Sequence, residues 1–306
     1  MSLKIIFRWL FVKSLLARLT SSSWLGTVAA VLTGLYYGAV STWGNDWIII
    51  KNYKNLHQNI YIFLGVMTCG ILLFRSITEA MHKSYNASYS KLMERLFLFT
   101  GKVVFEKKQR FFKSFNGVPK HKKNIFALIT QPTDQIKCIM SHAKDLLVEG
   151  FGLEKNSIEM TVIAGYPQKG TWWYEVSLDD QRQHTKAETI LNGNSVAKYV
   201  LTTGESFFLS DLRKGIQESI FLETNRSRVA ASKGSIYCKP VKAIIGTNEY
   251  AYIFTIVIYG QFLCIPYDKE ECSNARRFLD EIGDRVELEL YLLAMKTFSD
   301  NQGAPI

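Results

Sequence analysis

Two stretches of the chain carry no charged side chain and are long enough for a membrane helix. Residues 24–43 read WLGTVAAVLTGLYYGAVSTW, and residues 58–74 read QNIYIFLGVMTCGILLF. About 20 apolar residues span the hydrocarbon core of a bilayer, and 17 suffice. Gly26, Ala30, Gly34 and Gly38 recur at every fourth position of the first stretch. Glycine in a helix of a soluble protein costs about 1 kcal/mol against alanine. In lipid, small side chains at that spacing let two helices approach closely. Gly65 and Cys69 repeat the spacing in the second stretch and offer a face for the Gly34/Gly38 ridge. Trp24 and Trp43 stand where an aromatic belt would lie. The link of residues 44–57 holds no domain, so residues 21–75 are predicted to form an antiparallel two-helix transmembrane hairpin.

The pattern then changes. Residues 75–111 contain no proline. Tyr85, Leu92 and Phe99 interleave with Tyr89, Leu96 and Val103 at heptad spacing, an a/d seam. This helical connector, residues 76–116, is expected either to pair with a second copy or to pack on its own domain. NGVPKHKKN (116–124) breaks the helix and sets a boundary. Beyond it, a 3.6-residue apolar stripe predicts a helix over 133–151, built on Ile136, Ile139, Met140, Ala143 and Leu146/Leu147. Strands are predicted at 157–166, 171–180, 206–211, 234–245 and 249–265. A short helix precedes Gly204, and an amphipathic helix covers 270–295. The fold class is therefore α+β, with a central antiparallel sheet flanked by helices over residues 124–296 and a flexible tail over 297–306.

Helix, Gly turn and strand ending in Asp, as in SVAKYVLTTGESFFLSD, resemble the GAF domain, a relative of PAS domains. GSIYCKPV followed by a hydrophobic strand, and the amphipathic last helix, add to the resemblance, which covers about residues 130–295. It implies a ligand-sensing or dimerising module and identifies no ligand. The NKFDE-type motif of cyclic-nucleotide GAF domains is not found. Bilin attachment would need a particular Cys, and Cys238 and Cys264 lie within predicted strands, where a small buried thiol is the ordinary occupant.

Charge refines the picture. The net charge is +10, but residues 1–18, 44–57 and 75–123 carry +4, +1 and +9, leaving −4 on residues 124–306. Basic residues beside a membrane meet anionic lipid, worth about 1 kcal/mol each, so the bilayer rather than nucleic acid is the expected partner. Positive flanks stay inside, which places both termini in the cytoplasm and the protein in the inner membrane with two spans. IIFRWLFVKSLLARL mixes Arg and Lys through apolar residues, so residues 1–20 are predicted to be an amphipathic interfacial helix rather than a cleaved leader.

Candidate chemistry is sparse. No GxSxG, P-loop, dinucleotide fingerprint or HExxH is present, Asp179/Asp180 and His184 read as solvated polar positions, and no enzyme activity or cofactor is expected. Five cysteines form no CxxC. Cys138 and His142 share a helical face, but two ligands make no metal site. The connection 214–235, which in GAF-like folds covers the pocket, carries Arg226, Arg228 and Lys233. Guanidinium groups recognise phosphate, so these three, with Trp172, Tyr174 and Asp211, are the candidate binders of a nucleotide-type ligand.

Two functions fit. One is a membrane-anchored sensor whose cytosolic domain binds a small molecule or protein partner and couples this to the hairpin. The other is a two-helix membrane-disrupting effector gated by a nucleotide signal, a layout similar to that of bacterial antiphage defence systems. A non-catalytic membrane scaffold for a partner protein is a third. No kinase, cyclase or DNA-binding signature follows residue 296, so the output is expected in a partner protein or in the membrane part. Homo-oligomerisation through the hairpin and connector is expected in each case.

Overall fold

Nine residues of SIEMTVIAGY and twelve residues each of the stretches 234–245 and 248–259 form the strands at the centre of the protein. A computed structural model describes residues 11, 14, 23–43, 48–116, 131–178, 185–266 and 268–302. The chain divides into two units, Met1–Glu94 and Arg95–Ile306.

The first unit holds α1 (Ser23–Trp43), α2 (Ile48–Asn52) and the first part of α3 (Lys54–Asn116). α1 and α3 run antiparallel. Thr33 Oγ1 lies 3.0 Å from Thr68 Oγ1, and Tyr36 Oη lies 2.7 Å from His57 Nδ1. The Tyr37 and Tyr61 ring centroids are 5.0 Å apart. Gly26 sits at the same seam, where a Cβ would come within 3.3 Å of Leu72. The rest of the small-residue line turns elsewhere: a Cβ on Gly34, Gly38 or Gly65 would meet nothing within 4 Å, and Ala30 and Cys69 are exposed. The expected Gly34/Gly38 contact with Gly65 and Cys69 is therefore replaced by threonine and tyrosine pairs. Hydroxyls in an apolar helix gain from finding each other, and that selects the neighbouring face. Among the described residues one helix, Asn55–Ala80, is long and apolar enough to cross a membrane, where the sequence led us to expect two. The amphipathic helix expected over residues 1–20 lies outside the described residues apart from Phe11 and Ser14, as does the break at 117–123.

The second unit is α+β. α4 (Pro132–Phe151) precedes β1 (Ile158–Tyr166) and β2 (Thr171–Ser177). Then come α5 (Ala187–Asn192), α6 (Val196–Thr203), β3 (Phe207–Leu209), α7 (Leu212–Gln217) and α8 (Asn225–Val229). β4 (Gly234–Ile245), β5 (Asn248–Tyr259) and α9 (Lys269–Gln302) complete it. The five strands lie in the order β2-β1-β5-β4-β3, and every pairing is antiparallel. Mixed helices around such a sheet are compatible with a GAF-like arrangement.

Period-2 alternation sorts each strand between two faces. On one face lie the long helices. α9 buries Phe278, Ile282, Val286 and Leu290, and α4 buries Ile136, Ile139, Met140 and Leu147. Tyr237 of β4 donates to Asp280 of α9 at 2.8 Å. On the other face, Ile163, Trp172, Ile236, Cys238 and Ile253 pack with Val196, Val200 and Leu212.

Two differences from the sequence reading have physical causes, and one alternative that the sequence left open is decided. β5 stops at Tyr259 because Gly260 turns at φ 75°, its N–H donating to Lys233 O at 2.7 Å. α9 runs to Gln302, so the tail expected from 297 begins as helix: Phe298 lies over the β4–β5 turn at Gly246. Phe99 and Val103 of α3 are buried, and Gln135 Nε2 donates to Val103 O at 3.4 Å. The end of the connector seam thus packs on its own domain. Leu92 and Leu96 are half-buried, and the side chains of Tyr85 and Tyr89 lie outside the described residues.

Gly165 tests the β1–β2 pairing. A Cβ there would fall 2.2 Å from the Trp172 ring and 2.6 Å from Thr171 O. Gly165→Ala is expected to cost about 1–3 kcal/mol, read as a lower midpoint in urea; an unchanged midpoint would contradict this packing.

Candidate ligand-binding site

One face of the sheet is covered by helices of 20 and 34 residues, the other by helices of 6, 8, 6 and 5 residues. A helix of one or two turns presents no continuous apolar stripe. The second face is consequently covered by loops and helix ends, and these leave a cavity of about 340 Å³. Its floor is the sheet, with Thr161 and Ile163 of β1, Cys238 of β4, and Thr255 and Val257 of β5. Its roof is Ile190, Val196, Phe221 and Leu222.

The polar end is built around Arg226. Thr224 and Ser227 form a reciprocal capping box that starts α8 and fixes where Arg226 leaves the backbone. Its guanidinium pairs with Glu159 of β1, donates from Nη2 to Asn156 O at 2.7 Å, and lies 4.4 Å from the centroid of the Tyr259 ring. Glu159 and Arg226 side chains are 13% and 28% exposed, so each charge is largely removed from water and depends on the other.

The remaining polar groups are held neutral. Tyr174 donates to Thr185 O at 2.8 Å, and burial, then the Glu159 charge, pushes its phenol up to about 12. Burial and the Glu159 carboxylate push Tyr259 higher still, against the opposing charge of Arg226. Burial pushes the Cys238 thiol up to about 12, although its Sγ lies 3.4 Å from Thr255 Oγ1. A protonated thiol is a poor nucleophile. The cavity has the character of a binding site: an apolar body, two threonine hydroxyls on the floor and one neutralised ion pair at the end.

Of the six residues singled out in the sequence, Tyr174 and Arg226 line the cavity. Trp172 is on the same face of the sheet but is buried against Gly165 within the core. Asp211 caps α7, its Oδ1 accepting from Arg213 N at 3.0 Å. Arg228 faces Glu223 at 3.6 Å, and Lys233 Nζ lies 5.3 Å from the Phe262 ring centroid. The three cations therefore sit on three different partners and do not converge. Glu159, Thr161 and Thr255 were passed over. Their signal was present, since each is a polar residue at an alternate position of an otherwise apolar strand.

No protein-family model and no curated protein matches the chain. Among solved structures it is similar to a GAF domain/HD domain protein from Geobacter sulfurreducens, at 14% identity and a TM-score of 0.33, over 55% of this chain and 97% of that one.

The thiol of Cys238 offers a check. At pH 8 a group titrating near 12 is about one part in ten thousand thiolate. Iodoacetamide is therefore expected to leave Cys238 unlabelled in the folded chain and to label it after denaturation, as read by peptide mass. Labelling in the native state would contradict the buried, protonated assignment.

Proposed function

We propose that the chain is a membrane-anchored sensor whose GAF-like cytosolic domain binds one small molecule in the sheet cavity. The observation that carries this reading is the cavity itself. Its volume lies at the lower end of the range for small-molecule sites, about 300–1,000 Å³. Its wall also combines apolar side chains with hydroxyl groups and one ion pair that can orient a ligand.

The Arg226–Glu159 pair narrows the ligand class. A polyanion would have to displace a carboxylate already seated on the guanidinium, and among the described residues lining the cavity Arg226 is the one cation. A neutral or singly charged molecule, with hydrogen-bonding groups for Thr161 and Thr255, fits the balance better. The anchor is the two-helix hairpin, with the α1 stretch as the second span beside Asn55–Ala80. The positive-inside rule places both termini in the cytoplasm and the protein in the inner membrane. α3 contains the apolar stretch and, from Arg95 on, belongs to the sensor unit, so a change in the sensor has a covalent route to the anchor.

A second reading, the gated membrane-disrupting effector, draws on the open faces of Gly34 and Gly38. A second copy could pack there as small-residue ridges do in lipid. Leakage of vesicles carrying the full chain, on adding a compound that binds, distinguishes it from the sensor.

The test is the thermal midpoint of the full chain in detergent with a panel of nucleosides, cyclic mononucleotides and small carboxylic acids. A ligand at 100 times its dissociation constant stabilises by about 2.7 kcal/mol. At least one compound is expected to raise the midpoint, and Ile190→Trp, which fills the cavity, is expected to abolish the rise. No rise with any compound, or a rise that survives Ile190→Trp, would contradict the proposal.

A further inference from the structure

We propose that Glu106, Cys138 and His142 form a binding site for a transition-metal ion of the zinc class, clamping the connector helix α3 to α4. Cys138 and His142 stand at i and i+4, on one face of α4. Glu106 meets them from α3. Glu106 Oε2 is 2.9 Å from Cys138 Sγ, and Glu106 Oε1 is 2.9 Å from His142 Nε2. One donor atom from each of the three residues lies within 4.8 Å of the others, the group of this kind found among the described residues. The sequence shows the Cys–His pair; the third donor lies 32 residues upstream of Cys138 and only the fold brings it in.

A carboxylate accepting hydrogen bonds from a thiol and an imidazole is the plainer account, and the surrounding interface argues for more. Gln135, one turn before Cys138 on the same face of α4, is 2% exposed and its Oε1 is buried with no hydrogen-bond partner among the described residues. Arg110, one turn after Glu106 on α3, has Nη2 buried in the same condition, although its Nη1 donates to Asp134 O at 3.2 Å and its guanidinium reaches the Cys138 thiol, from which it would have to turn away when a cation binds. Buried polar atoms are normally satisfied. Two orphans flanking one three-donor cluster mark an interface whose polar complement is unfinished.

The donor set fits zinc chemistry. Sulfur, nitrogen and oxygen donors together suit zinc or cobalt, whereas magnesium and calcium take oxygen. Tetrahedral zinc, with bonds near 2.0–2.3 Å, spaces its donors by about 3.4–3.6 Å. Glu106 now meets Cys138 with one oxygen and His142 with the other, so one oxygen has to turn between them and donors that lie within 4.8 Å of one another have to settle at this spacing, a movement of side-chain torsions. Binding replaces the thiol proton with the metal and releases it to solvent. Three protein donors leave a fourth position for water. None of the three residues lines the sheet cavity, so this site stands or falls apart from the sensor reading.

The experiment uses the full chain, reduced, stripped with chelator and titrated with cobalt(II) alone. The expected result is one ion per chain, with a sulfur-to-cobalt charge-transfer band and tetrahedral ligand-field bands that zinc(II) removes. Cys138→Ser is expected to lose the charge-transfer band. His142→Ala and Glu106→Gln are expected to weaken binding by at least about 10-fold, the cost of losing even an outer-shell group. Cys264→Ser/Cys272→Ser, which removes a separate pair of thiols with Sγ atoms 3.4 Å apart, is expected to leave the spectrum unchanged. Circular dichroism of each stripped variant, matched to the stripped parent, separates ligand loss from misfolding. A parent with no charge-transfer band would overturn the proposal. So would a band that survives Cys138→Ser and disappears in the Cys264/Cys272 variant.

Discussion

An antiparallel sheet whose central strands are apolar on both sides must be covered on both sides, and the structure follows from how unequally that is done. β5 is buried from Tyr250 to Ile258 without interruption. α4 and α9 cover one face with continuous stripes of Ile, Leu and Phe. The other face receives four helices of five to eight residues. Large side chains cannot be delivered everywhere from such short elements. What they leave is a space with Thr161 and Thr255 on its floor. A protein interior is ordinarily packed close to crystal density, so a space of this size beside well-packed helices is a feature of the design.

The electrostatics of the cavity depends on one pair. Glu159 projects from a strand into a poorly solvated region, and Arg226 is aimed at it by the capping box of α8. Removing either partner would strand the other's charge, at a cost of about 3–5 kcal/mol in comparable buried pairs. Burial, and then the Glu159 carboxylate, raise the two nearby phenols, so Tyr174 and Tyr259 stay neutral hydrogen-bonding groups; Arg226 acts against the rise at Tyr259. A ligand entering here meets a surface whose charges already cancel. That consideration, more than the basic residues of the 214–235 connection taken alone, governs which molecules suit it.

Much of this was legible in the sequence. Apolar runs between turns marked β1, β4 and β5, and a 3.6-residue stripe marked α4 and α9, because a long helix with one buried side carries a period. Helix α8 and most of α7 fell in the stretch read as a polar connection, and α5 was not predicted, since five or six residues hold too little period to detect. Of the residues chosen for the site, Arg226 and Tyr174 face the cavity. Trp172 shares their side of the sheet, yet Gly165 gives it room to pack inward. Arg228 and Lys233 are near in sequence, but a single helical turn and the strained backbone at Ala231 and Ser232 send them to other partners. Spacing also showed that small residues line one side of α1, without showing which side would meet α3. The threonine and tyrosine pairs decided that. Glu106 was invisible as a neighbour of Cys138 and His142 because it arrives from another helix.

The most direct measurement is an experimental structure of the full chain, purified without unfolding and at a resolution that shows side chains in the sheet cavity. The account predicts one small molecule seated on Thr161 and Thr255 beneath α8, with Arg226 still paired to Glu159. A cavity closed by repacked side chains from α5 and α6 would contradict it.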